Sequence, residues 1–158
     1  MSVPTTHRLD RLRAEIGGFE ALNRLLATEA DALRRADAEA LSTVSSAKLE
    51  QVNALQALAR QRSQDMKRLG LPENQAGVHA WIAQDTDPSP ARAEWERLTR
   101  LAMDAKRQND VNGRLAARQR WHFDAALSAL IQAAGVASVY GADGRSRRTQ
   151  VTQAHLAV

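Results

Sequence analysis

At 158 residues the chain is long enough for one domain with a substantial core. It has no cysteine, which excludes a disulfide framework and thiol chemistry, and no run of about 18 apolar residues to span a membrane. The net charge of +4 is spread along the chain: residues 1–70 carry eleven basic and nine acidic groups and residues 71–134 eight of each, which argues against a nucleic-acid face.

Ala, Leu, Glu, Gln and Arg dominate and Pro and Gly are few, so the composition predicts an all-α chain. Residues 1–6 lack the apolar core of a secretion signal, and the expected location is the cytoplasm. The first helix starts at Thr5 or Thr6, both good caps. Leu9, Leu12, Ile16, Phe19, Asn23, Leu26, Ala30 and Leu33 then follow alternating steps of three and four, a coiled-coil seam. Gly17-Gly18 in its middle marks a bend or a close helix contact.

Asp37 either caps a second helix or marks a weak point in a continuous one; the second helix runs from Ala38 to Leu69, with Leu41, Val44, Val52, Leu55, Ala59, Met66 and Leu69 inward and Lys48 interrupting the stripe. The short connection between the two helices predicts an antiparallel hairpin. Gly70 and Pro72 stop the second helix. The linker Leu71–Ser89 contains one short amphipathic turn at residues 78–82, whose Trp81 and Ile82 are expected to plug the end of the bundle. Ser89 as cap and Pro90 at the first helical position open a long third helix that runs to Ala134.

That helix, about 45 residues and roughly 65 Å long, has apolar ends and a polar waist. Its inward positions read Trp95, Leu98, Ala102, Ala105, Asn109, Asn112, Ala116, Gln119, Phe123, Ala126 and Leu130. Asn109 and Asn112 are poor helix formers placed before Gly113; they either fix register against the hairpin or contact a partner. The expected whole is a coiled-coil-like helical bundle over residues 1–139 with a flexible C-terminal tail over residues 140–158.

Chemistry-bearing patterns are missing. The four histidines are scattered, no Glu-x-x-His occurs, and no Gly-rich phosphate loop or nucleophile elbow is present. Carboxylates sit near arginines at helical spacing, as with Glu20 and Arg24, and read as surface pairs. The expectation is a protein that is not an enzyme and holds no metal or cofactor. Ala126, Leu127, Leu130, Ile131 and Ala134, with Phe123 and Val136, form an apolar surface broader than one seam needs, which marks an interaction site.

The hairpin with Lys48 at its middle, Trp81 in the linker, Asn109-x-x-Asn112-Gly113, and Tyr140-Gly141-x-x-Gly144 after the long helix resemble the FlgN family of flagellar type III export chaperones. The resemblance spans nearly the whole chain. It implies a cytoplasmic protein that binds the C-terminal helices of the hook–filament junction proteins FlgK and FlgL, prevents their early assembly and brings them to the export gate. Under it, Phe123, Ala126, Leu127, Leu130, Ile131, Ala134 and Val136 would bind cargo, while Tyr140, flanked by Gly141 and Gly144, would dock the cytoplasmic domain of the gate. Neither nucleic acid nor membrane insertion is expected. The alternative is a structural coiled-coil or adaptor protein that self-associates through the first seam.

Overall fold

The structure, a computed structural model, describes residues 5–133. Four helices follow one another: α1 (Thr5–Arg35), α2 (Ala38–Arg68), α3 (Gln75–Ile82) and α4 (Ser89–Ala133). The described residues contain no strand, and the all-α bundle expected from composition is the fold. The chain divides into two compact units, Met1–Ala116 and Ala117–Val158, with α4 contributing to both. An expected boundary between residues 139 and 140 lies outside the described residues.

In the first unit α1 and α2 form an antiparallel hairpin packed along its length. The turn between them is tight: Ala36 N donates to Leu33 O (3.1 Å) and Asp37 N to Ala32 O (3.0 Å). Asp37 caps α2, its Oδ1 accepting from Ala40 N at 3.0 Å. Ala36 takes the strained left-handed conformation, with φ 53°. Gly18 is the close contact foreseen in the Gly-Gly step: a Cβ there would lie 2.6 Å from Leu55 Cδ2, and Gln51 Nε2 donates to the Gly18 carbonyl at 3.0 Å.

The linker holds more order than its sequence promised. Asn74 caps a full two-turn helix, its Oδ1 accepting from Gly77 N at 3.0 Å. Gly77 faces Pro72 so closely that a Cβ would stand 1.8 Å from the Pro72 carbonyl oxygen. Trp81 and Ile82 are fully buried among Leu12, Ile16, Met66 and Leu98, which closes that end of the bundle. Arg8 and Asp85 form a buried ion pair beside them, and the Arg8 guanidinium lies 5.8 Å from the centre of the Trp81 ring.

Two details of α4 correct the sequence reading. Ser89 is inside the helix rather than its cap: Pro88 O accepts from Arg92 N (3.0 Å), and Asp87 Oδ1 accepts from Ser89 N (3.0 Å). Asn109 and Ala116 are exposed, and beyond Ala105 the inward side passes through half-buried Gln108, buried Asn112 and half-buried Leu115. A straight α-helix drifts about 20° per heptad against a strict 3.5 repeat, so one row of the extrapolated seam turns out to solvent.

Gly in place of Ala36 removes the left-handed penalty and should raise the unfolding free energy by about 1 kcal/mol. Ala in place of Gly77 meets a backbone carbonyl that cannot step aside and should lower it by about 2 kcal/mol. Urea midpoints of the two variants check both signs.

Candidate functional site: a groove between α2 and α4

Buried charge organises the first unit. Glu15, Glu29, Asp65 and Asp85 are all buried, and each faces a cation: Arg62 at 2.8 Å, Lys48 at 2.6 Å, Arg11 at 2.6 Å, and Arg8. The reading of carboxylates as surface pairs misses these four, because a carboxylate on an inward position looks in sequence like any helix-surface Glu or Asp. Glu20 is likewise not paired with Arg24 in the pattern expected of the surface; it accepts from Arg97 of α4 at 2.5 Å.

These links tie α4 to α1. Arg13 reaches Glu94 (3.2 Å), and Asn23 Nδ2 donates to Leu101 O (3.2 Å). Further along, Asn112 Nδ2 donates to Leu26 O and to Glu29 Oε2, both at 2.8 Å, and Gln108 Nε2 donates to Asn112 Oδ1 at 2.9 Å. Glu29 Oε1 accepts from Lys48 Nζ at 2.6 Å. One buried carboxylate on α1 thus joins α2 and α4, and it accounts for the lysine that interrupts the α2 stripe. Asn112 fixes register; Asn109, one turn away, is exposed and takes no part.

Nearer α3, Arg62 of α2 contacts both α1 and α4. Arg62 makes a bidentate pair with Glu15 (Nε–Oε1 2.8 Å, Nη2–Oε2 3.2 Å), and its guanidinium lies over the Trp95 ring at 5.1 Å. A hollow lies on either side of this contact, one with α1 residues in its lining and the other closed by α3 and the residues before it. One hollow, about 450 Å³, is lined mainly by Phe19, Leu22, Val52, Leu55, Leu98 and Ala102, with Gln56 and Thr99 at its edges. The other, about 480 Å³, is bordered by Ser63, Met66, Glu73, Gln75 and Val78. Arg62, Trp95 and Thr99 line both, so the two adjoin and form a groove interrupted by the Arg62–Trp95 contact. Half-buried Phe19, Val52, Ala59, Trp95 and Ala102 leave apolar surface open along it.

The side chains of Phe123, Ala126, Leu127, Leu130 and Ile131 lie outside the described set, as do Ala134, Val136, Tyr140, Gly141 and Gly144. The described part of the second unit is the last stretch of α4, where the exposed rings of Trp121 and His122 meet edge-on with centroids 5.0 Å apart. Among the described residues no three His, Asp or Glu side chains converge as a metal site, and no helix is long and apolar enough to cross a membrane. The groove went unforeseen because it depends on how far apart α2 and α4 stand, which no single helix pattern records. The one usable signal was the second apolar row of α4, Trp95 and Ala102, beside the Leu98–Ala105 row.

The fold defines an all-α helical bundle with a groove on its surface and paired buried charges within it. The comparisons give that class its family. The family model described as FlgN protein matches residues 5–148, and the chain belongs to the FlgN family. A crystal structure of a flagella synthesis protein FlgN from Pseudomonas aeruginosa is similar at 25% identity, with a TM-score of 0.66, over 73% of this chain and 90% of that one. No curated protein sequence matches the chain.

Replacing Asn112 by Ala leaves Glu29 and the Leu26 carbonyl short of a buried donor and should cost about 1–3 kcal/mol. The same change at Asn109 should stay within about 0.5 kcal/mol. Denaturant titration of the two variants side by side separates a register role from a shared polar waist.

Proposed function

We propose that this protein serves flagellar assembly as an export chaperone. In the cytoplasm it holds the C-terminal amphipathic helices of the hook–filament junction proteins FlgK and FlgL and presents them to the export gate. Membership of the FlgN family and similarity to a flagella synthesis protein support the setting. The observation that carries the binding role is the groove between α2 and α4, whose larger apolar stretch is lined by Phe19, Leu22, Val52, Leu55, Leu98 and Ala102. An amphipathic helix laid into such a slot buries its apolar face and keeps its polar face in water. Binding alone accounts for this role, and it requires neither a reaction nor a cofactor.

The test is a titration with synthetic C-terminal peptides of the two junction proteins. Ala102 is half-buried on the wall of the groove, so Ala102→Trp fills the slot from its side. That variant should keep its helicity and melting temperature and bind the peptide at least about tenfold more weakly, a loss of about 1.4 kcal/mol. Unchanged affinity in a folded variant would show that the groove is not the cargo site. Aspartate at Leu127, Leu130 and Ile131 together measures what the end of α4 adds.

Gate docking is assigned to Tyr140, with Gly141 and Gly144 beside it. A tyrosine supplies a large apolar face and a hydroxyl with few rotors to freeze. Tyr140→Ala should leave peptide affinity nearly intact and weaken binding to the cytoplasmic domain of the gate by about 2 kcal/mol. Parallel losses in cargo affinity, gate affinity and melting temperature would instead make the residue structural.

A further inference from the structure

The contact that interrupts the groove leaves two hydrogen-bond donors without an acceptor. Arg62 gives its Nε and Nη2 to the two oxygens of Glu15, and its Nη1 donates to no described residue. The indole Nε1 of Trp95, whose ring lies against that guanidinium, likewise makes no hydrogen bond among the described residues. Unlike Trp81 Nε1 and Arg8 Nε, which are sealed in the core, these two atoms stay open to solvent. Arg62 and Trp95 line both hollows, so any helix that occupies the whole groove crosses them. Covering them strips away their solvent, and a donor buried without an acceptor is costly. The occupant has to bring the acceptor itself.

Charge decides which acceptor fits. Among the described residues lining the two hollows, Arg62 is the one cation, and Glu15 and Glu73 are anions. Buried Glu15 already neutralises Arg62 through both of its oxygens. A second carboxylate placed there would face Glu15 with no cation of its own. We infer that the groove selects a helix whose apolar face is broken once, by an amide or hydroxyl side chain set over the Arg62–Trp95 contact. This rests on the chaperone reading and adds to it the residue pattern of the cargo. The lining of α2 sets the spacing: Leu55 in the larger hollow stands seven residues before Arg62, and Met66 in the smaller one four residues after it. At 1.5 Å rise per residue these are roughly 10 Å and 6 Å along α2. A helix lying along α2 therefore carries apolar residues about four and seven positions from the acceptor toward the larger hollow, and one about four positions away toward the smaller. A helix with an unbroken apolar face is discriminated against, which makes Arg62 and Trp95 specificity-determining residues.

The experiment titrates the full chain with synthetic junction-protein C-terminal peptides in which each Asn, Gln, Ser and Thr is replaced in turn by Leu. At one position Leu should weaken binding at least about fivefold, while elsewhere affinity holds within about twofold or improves. Glu at that position should also bind more weakly than the native side chain. Trp95→Phe keeps a ring beside the guanidinium and removes the indole N–H, so the penalty for Leu should shrink in that variant. The Glu15→Gln/Arg62→Met double variant removes the charge pair and should reduce the penalty further; if it does not fold, the Trp95→Phe comparison decides alone. If no position loses affinity to Leu while Ala102→Trp still blocks binding, the inference fails and the groove reading stands. A penalty of equal size in the wild type and in Trp95→Phe overturns it too, as does tighter binding of the Glu peptide. Peptides that do not bind the wild-type chain at all overturn the chaperone reading as well.

Discussion

The arrangement of the bundle depends on Arg62. Its guanidinium is held from below by both oxygens of buried Glu15 on α1 and covered by the Trp95 ring of α4. The bidentate pair fixes the plane of the guanidinium, and that plane fixes where Trp95 can rest. One side chain of α2 therefore contacts both α1 and α4. Were the two helices in direct apolar contact they would close over Leu22, Leu55 and Leu98; bridged by an arginine, they leave a slot on either side of it. Removing Glu15 alone would strand a half-buried cation, so each partner keeps the other in place.

The same logic recurs along the bundle. Glu29 receives Lys48 from α2 and Asn112 from α4, and Arg8 with Asp85 locks the segment after α3 against the start of α1. Apolar burial supplies most of the driving force, through Leu12, Leu26, Met66, Trp81 and Ile82, but a Leu- and Ala-rich seam tolerates sliding. Buried polar pairs add register, since a slip of one turn would leave every carboxylate without its cation. Stability and specificity thus come from different residues. The groove lies where the register is held yet the apolar surface remains open.

The helices were legible because their signals are local. Periodicity gave α1, α2 and α4, Asp37 gave the cap of α2, and the short turn at residues 35–38 gave the hairpin. Trp81 and Ile82 were recognisable as a plug because two large apolar residues in a polar linker have few other uses. The register role of Asn112 was open in the sequence, and Asn109 looked equivalent; only the rotation of α4 against α1 tells them apart. The buried carboxylates could not be read at all, because their partners lie 47 residues away for Glu15 and 77 for Asp85. Asn74 and Gly77 gave a readable cap-and-helix signal for α3, and the reading stopped at a turn because the segment is so short.

A chaperone for helical segments needs a surface that is apolar enough to hold them and rigid enough to stay open when empty. Under the chaperone role proposed above, Arg62 and the Glu29 junction are the contacts that hold the helices around that surface. The chain's lack of cysteine allows this account to be tested at one atom. A single cysteine at Gln56, on the edge of the groove, can carry a benzophenone, with the same label at Arg97 on the α1-facing side of α4 as control. Irradiation with a junction-protein C-terminal peptide should give a covalent product from position 56 and none from position 97. Product from position 97 but not from 56 would contradict the groove as the cargo site.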